Sequence, residues 1–284
     1  MTAGPRAPFG ERLTAAVGTR GPLCAGIDPH ASLLEQWGLS VDAKGLERFA
    51  MTCAEAFAGE VAIVKPQSAF FEAHGSAGVA VLEKLIASFL DSGTLVLADV
   101  KRGDIGSTMA AYAQAYLGEG SPLAADAVTV SPYLGFGSLD PALALAERNE
   151  RGLFVLALTS NKEGPQVQRA RSEEGVVVAQ TMVDEAAAHN EGAAPLGSVG
   201  LVIGATVGRT ELDLSRLNGP ILAPGFGAQG AGVDDLAKVF GDHLPHVLPA
   251  SSRDILRHGP DVTALRDAAL RVRDAVAAQA RQLS

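Results

Sequence analysis

Residues 95–104 read LVLADVKRGD, an apolar run of β type that ends in a carboxylate, an ammonium and a second carboxylate at Asp99, Lys101 and Asp104. Residues two apart on a regular strand share a face. Asp99 and Lys101 are therefore predicted to project together from the strand's C-terminal end, with Asp104 on the turn into a helix. Charged side chains avoid apolar strands unless they are paired or at work. An ion pair closing a buried strand would explain Asp99 and Lys101 equally well; the third charge at Asp104 favours a site. Charges alternating there can give up a proton and repel an anion.

Runs of the same kind recur at 22–28, 61–67, 94–101, 127–132, 152–160, 199–206, 221–225 and 246–251. Most are continuously apolar, as strands covered on both faces should be. Amphipathic stretches separate them. Leu46, Phe49, Cys53 and Phe57 share one helical face within 42–59, and Val79, Leu82, Leu85, Ile86 and Phe89 do so within 76–90. A helix is also predicted over 170–190, carrying Val176, Val177, Met182 and Val183, and another from Pro260 onward. Eight strand-then-helix units in 284 residues predict the α/β class, with residues 1–284 forming a single (β/α)8 TIM barrel. A leading helix over 9–17 is extra to that pattern. A doubly wound open sheet would carry G-x-G-x-x-G after its first strand, where this chain has Asp28-Pro29-His30. The irregular piece 161–168 reads as an active-site loop rather than a linker.

Bulk composition narrows the function. A content of 47% hydrophobic and 19% charged residues describes a soluble globular chain. A net charge of −9 with no basic cluster argues against a nucleic-acid partner. An anionic small molecule would need a local basic group and backbone amides. Cys24 and Cys53 have no metal-ligand or C-x-x-C spacing, which predicts two buried thiols in a reducing compartment. The first residues lack the apolar core of a signal peptide, and no run is long enough to span a bilayer. The expectation is a cytoplasmic protein with no membrane partner.

Chemistry in such a barrel sits at the strands' C-terminal ends. Those ends carry Asp28, Lys65, Asp99 with Lys101, and Thr159 with Ser160. Strand seven runs into Pro224-Gly225-Phe226-Gly227-Ala228-Gln229-Gly230, and strand eight into Ser251-Ser252-Arg253-Asp254. The last two loops of a barrel commonly hold phosphate through backbone amides. Gly225, Gly227 and Gly230 permit close approach of the backbone, and Arg253 can clamp the anion. His243 and His246, near Asp242, precede strand eight and are expected to be solvated or to pack. Tyr112 and Tyr116 fall at helical spacing and are expected in the core or an interface, while Trp37, in an early loop, suggests no role.

Lys65, the stretch from Asp99 to Thr108 (DVKRGDIGST), Pro224-Gly225 and Arg253 together resemble the orotidine 5'-phosphate decarboxylase family. The likeness runs from about Asp28 to Arg253. The GIDP at strand one and the Ser160-Asn161-Lys162-Glu163-Gly164 loop are similar to its longer bacterial variety. The resemblance implies decarboxylation of orotidylate to uridylate with no cofactor and no metal. The residue matching Lys101 would protonate C6, and those matching Lys65, Asp99 and Asp104 would complete a charge network. Asp104 would come from the other subunit of a homodimer, and Thr108 would reach the neighbouring site. Asp28 and Lys65 would hold the ribose hydroxyls. Thr159 or Ser160 would face the pyrimidine, with that choice open. Gln229 and Arg253, beside Pro224 and Gly225, would take the phosphate.

Three rival activities remain. A magnesium-dependent sugar-phosphate decarboxylase of the same superfamily would carry a glutamate at strand two, where Lys65 repels a cation. A Schiff-base aldolase needs a neutral amine, and the carboxylates flanking Lys101 favour the charged one. A non-catalytic phosphate-binding barrel leaves the acidic pair on strand three without a purpose.

Overall fold

In the computed structural model, which describes residues 6–208, 212–227 and 232–282, parallel strands close into a barrel in sequence order. They are β1 (Cys24–Ile27), β2 (Ile63–Pro66), β3 (Leu95–Arg102), β4 (Ala127–Val130), β5 (Gly152–Leu158), β6 (Val199–Ile203), β7 (Ile221–Pro224) and β8 (Val247–Ser251). Each lies within or close to its predicted run, and all but β3 are shorter, β3 keeping its eight residues and ending one later at Arg102.

Alternation along the strands sorts two apolar layers. Cys24, Ile63, Leu95, Leu97, Ala127, Phe154, Val202, Leu222 and Leu248 fill the barrel interior. Ala25, Ile27, Val64, Val96, Ala98, Val128 and their equivalents face the helices. Lys65 continues the inward face begun by Ile63, and Asp99 continues that of Leu95 and Leu97. The charges therefore cap a packed interior rather than line a pore.

The leading helix is Phe9–Arg20, and it closes the barrel's N-terminal end. Phe9 is fully buried, with its ring 6.0 Å from that of Phe154 in an edge-on contact. Gly152 makes room for it: a Cβ there would lie 2.3 Å from the Phe9 ring. Arg12 ties the helix to the sheet, donating to Asp126 Oδ1 at 2.5 Å and to the Glu150 carbonyl at 2.9 Å. The other oxygen of Asp126 accepts the Val96 N–H at 2.9 Å.

Several expectations are corrected. The helix predicted over 170–190 is Val178–His189, because the segment before it folds back on itself. Ser172 N–H bonds the Val176 carbonyl at 2.8 Å, Arg171 bridges Val177, and Gly175 turns the chain at a φ of 82°. Between β6 and β7 the described residues form turns rather than a helix. Trp37 is buried against Phe49, ring centroids 4.2 Å apart, and donates through Nε1 to the Leu256 carbonyl at 3.0 Å. It anchors the turn after β8.

Other expectations hold. His243 and His246 lie in the 3-10 turn Gly241–His246 that leads into β8, and burial lowers the His246 pKa. The Arg102 guanidinium lies over the rings of Tyr112 and Tyr116, at 5.6 and 6.0 Å. Both cysteines are free and buried, and burial, reinforced by Asp99 and Asp28, pushes the Cys24 thiol up to about 12. Among the described residues, no helix is long and apolar enough to cross a membrane.

Candidate active site

A cavity of about 480 Å³ opens at the C-terminal ends of the strands. Asp28, Lys65, Asp99, Lys101, Thr159, Ser160, Pro224, Gly225 and Arg253 all line it. The barrel thus brings together residues that lie up to 225 positions apart, from 28 to 253, as the strand-end reading expected.

The charges form an alternating row. Lys65 and Asp99 are each only 6% exposed, with Lys65 Nζ 2.8 Å from Asp99 Oδ2. Lys101 Nζ lies 2.5 Å from Asp99 Oδ1 and its side chain is 43% exposed, so the ammonium has a free side toward the cavity. Asp28 Oδ1 sits 3.9 Å from Lys65 Nζ, buried and without a hydrogen-bond partner among the described residues. Burial alone would raise the Asp99 pKa; the ammonium groups of Lys65 and Lys101 outweigh it and hold the carboxyl well below the ordinary range. Burial would likewise lower Lys65, and Asp99 with Asp28 raise it instead. At neutral pH both members of this buried pair are charged.

Asp99 and Lys101 share a side, as predicted, but strand periodicity is not the reason. The β3–β4 register shifts between Ala98 and Arg102, and Lys101 adopts a φ of 46°. A bulge, not a regular pleat, turns its side chain back toward Asp99.

At β5 the two hydroxyls separate. Thr159 Oγ1 lies 2.6 Å from Asn161 Oδ1 and accepts from Gln168 Nε2 at 2.7 Å, while Gln168 Oε1 accepts the Thr159 N–H at 2.8 Å. The Thr159 hydroxyl is thereby engaged within its own loop. That of Ser160 has no hydrogen-bond partner among the described residues. Segment 161–168 is a loop ending in one short helix, Pro165–Gln168.

On the phosphate side, Gly225 has a φ of 98°, open only to glycine at little cost, and Arg253 starts the short helix Arg253–Leu256. The guanidinium of Arg253 makes no ion pair among the described residues. Gln229 lies outside the described residues. Asp104 and Thr108 do not line the cavity of their own chain. Asp104 accepts the N–H of Ile105 at 2.8 Å, and Thr108 is exposed on the helix Gly106–Leu117.

Sequence reasoning missed several lining or supporting groups. The His30 ring packs at a tilt against Phe70, centroids 4.2 Å apart, beside Asp28, and Gln67 bridges to Asp99 across β2 and β3. Ser251 and Ser252, named at the end of strand eight but given no role, present buried hydroxyls without partners among the described residues. Thr129 bonds Asp99 from β4, and the signal was available: it is the one hydroxyl in an otherwise apolar strand.

The site belongs to a recognisable lineage. A family model described as orotidine 5'-phosphate decarboxylase / HUMPS family matches residues 21–268. The orotidine 5'-phosphate decarboxylase of Salinispora tropica is 63% identical over 264 residues, covering 93% of this chain and 95% of the relative. That of Streptomyces coelicolor is 59% identical over 262 residues, covering 92% and 94%. A Streptomyces avermitilis crystal structure described under the same activity superimposes with a TM-score of 0.96 at 57% identity, covering 99% of both chains. With a match over most of its length and the charged strand ends in place, this chain belongs to the orotidine 5'-phosphate decarboxylase / HUMPS family.

Proposed function

We propose that this site decarboxylates orotidine 5'-phosphate to UMP, the closing step of de novo pyrimidine synthesis, with Lys101 protonating C6. The observation that carries the reading is the row Asp28–Lys65–Asp99–Lys101 across the cavity mouth of a chain in this family. A substrate carboxylate placed beside Asp99 is repelled. Two like charges ~4 Å apart at an effective dielectric of ~20 cost about 4 kcal/mol. Departure of carbon dioxide relieves that repulsion. The electron pair left on C6 meets the Lys101 ammonium, so the attraction grows as the transition state forms. Lys101 then transfers its proton to the carbon.

The other contacts follow from which polar atoms remain unsatisfied. Asp28 Oδ1, buried and unpartnered beside Lys65, suits a ribose hydroxyl as donor. Ser160, rather than the engaged Thr159, is the hydroxyl free for the pyrimidine. Gly225, Gln229 and Arg253 take the phosphate, with Pro224 shaping the approach. Asp104 and Thr108 serve a second copy's site in a homodimer. Support comes from apolar residues exposed on the same rim: Ile105 at 62%, Tyr133 at 77% and Leu134 at 53%. One barrel domain accounts for residues 1–284, and the enzyme works in the cytoplasm.

The rival magnesium-dependent chemistry is disfavoured by the donor set. Lys65 stands between Asp28 and Asp99, so the carboxylates nearest the cavity are already compensated by an ammonium. The test is the fall in ultraviolet absorbance when protein meets orotidine 5'-phosphate, before and after exhaustive chelation. Turnover is expected to be equal in both. A requirement for added Mg²⁺ would transfer the chain to the rival class.

A further inference from the structure

Asp99, Val100 and Lys101 lie opposite a single β4 residue, Thr129, because the register passes from Ala98↔Val128 to Arg102↔Val130. Extra β3 backbone is taken up where the charges sit, and Lys101 absorbs it with its φ of 46°. For a residue with a Cβ, that conformation persists only when its surroundings hold it. The Thr129 hydroxyl supplies the hold. Its Oγ1 accepts the N–H groups of Val100 and Lys101, each at 3.0 Å, and lies 2.8 Å from Asp99 Oδ1.

A hydroxyl has two acceptor lone pairs and one proton. With both lone pairs given to backbone N–H groups, the proton is directed to Asp99. Thr129 is 1% exposed, so bulk water does not compete for it. Asp99 Oδ1 is then shared by Thr129 and Lys101, while Oδ2 receives Lys65. Among the described residues, every hydrogen bond that fixes the Asp99 carboxylate plane comes from these three groups, and only Thr129 also fixes the backbone from which Lys101 projects.

We infer that Thr129 is a positioning residue for the decarboxylation. Its hydroxyl sets the β3 bulge that turns Lys101 toward Asp99, and it locks the Asp99 carboxylate between the two lysines. Thr129 does not line the cavity, so it acts through Asp99 and Lys101 rather than on substrate. The inference rests on reading Lys101 as the proton donor; the hydrogen bonds themselves do not depend on it.

Thr129→Val keeps shape and removes the hydroxyl, whereas Thr129→Ser keeps the hydroxyl and removes a methyl group. For Thr129→Val, kcat is expected to fall about ten- to a hundredfold, the range for losing a buried hydrogen bond to a charged group. UMP affinity should change by less than about threefold, because uniform binding is untouched. Thr129→Ser should recover most of kcat. If the valine protein does not fold, Thr129→Ala takes its place with the same expectations. A valine kcat equal to wild type, a fall in UMP affinity in step with kcat, or a serine variant as impaired as valine would each overturn the proposal. Amide hydrogen exchange provides a readout free of turnover. The Val100 and Lys101 amides should exchange faster in Thr129→Val and stay protected in Thr129→Ser. Wild-type protein inert toward orotidine 5'-phosphate would overturn the assigned reaction, whereas unchanged protection in Thr129→Val would overturn Thr129's role.

Discussion

Lys101 divides one ammonium between Asp99 Oδ1, 2.5 Å away, and the open cavity. Lys101→Ala is expected to lower kcat by about a thousandfold or more while leaving UMP affinity within a few-fold, since general-acid and electrostatic contributions are made at the reacting carbon. Titrating UMP by calorimetry alongside the kinetics separates the two; affinity lost in proportion to kcat would make Lys101 a binding residue. Asp99 carries a signature in stability. Its native carboxyl sits well below the ordinary range, so under about pH 3.9 the unfolded chain holds a proton there that the native protein does not. The stability it confers is complete above that pH and is lost as pH falls toward the native value. Chemical denaturation of wild type and Asp99→Asn should therefore show a gap that narrows below pH 4 by up to about 1.4 kcal/mol per pH unit. A gap constant from pH 5 to 3 would mean the carboxyl titrates alike in both states. Asp99, Lys65 and Lys101 were legible because charge in an apolar strand demands a reason. Thr129 was passed over although it is the one hydroxyl in an otherwise apolar strand, since a β-branched side chain fits a strand without further reason. Thr159 and Ser160 stayed unresolved because strand periodicity stops at Leu158 and only the loop's own hydrogen bonds tell them apart.

Among the elements, the β5 loop shows how a short segment is held ready. Gln168 clasps both the N–H and the hydroxyl of Thr159, closing the loop onto its own start. Gln168→Leu removes both bonds, and UMP should bind about tenfold more weakly, the cost of two hydrogen bonds in a half-buried loop. Ribose 5-phosphate, which lacks the base, should inhibit wild type and variant equally; equal weakening of both ligands would mean the loop serves the phosphate end. The strands were legible to within a few residues because both-face burial writes an unbroken apolar run. The helix over 170–190 was misjudged at its start, where Val176 and Val177 fit a helical face but Gly175 turns the chain. The β6–β7 connection was misjudged because eight strand-then-helix units imply a helix there, whereas its described residues form turns.

For the whole molecule, the barrel was legible from the number and order of its strands, while the partner subunit entered only through resemblance. One chain leaves Asp104 and Thr108 outside its own cavity, which makes the assembly testable. Lys101→Ala and Asp104→Ala proteins should each be nearly inactive alone. After subunit exchange, a hybrid dimer has one site with both lesions and one with neither, so random pairing restores about a quarter of wild-type activity. Exchange proven by mass spectrometry with no recovery would assign Asp104 to its own barrel. The N-terminal helix bears on how such a barrel is made. It leaves the ribosome before any barrel strand, yet Arg12 bonds Asp126 at a separation of 114 residues, and the Gly10 N–H reaches Ser198 Oγ, 188 residues away. Phe9 finds its seat only once Gly152 and Phe154 have been synthesised. Contacts this distant carry a large closure entropy and form late. A segment that emerges before every barrel strand is thus among the last to lock, and its docking reports that β4, β5 and the approach to β6 are already in place.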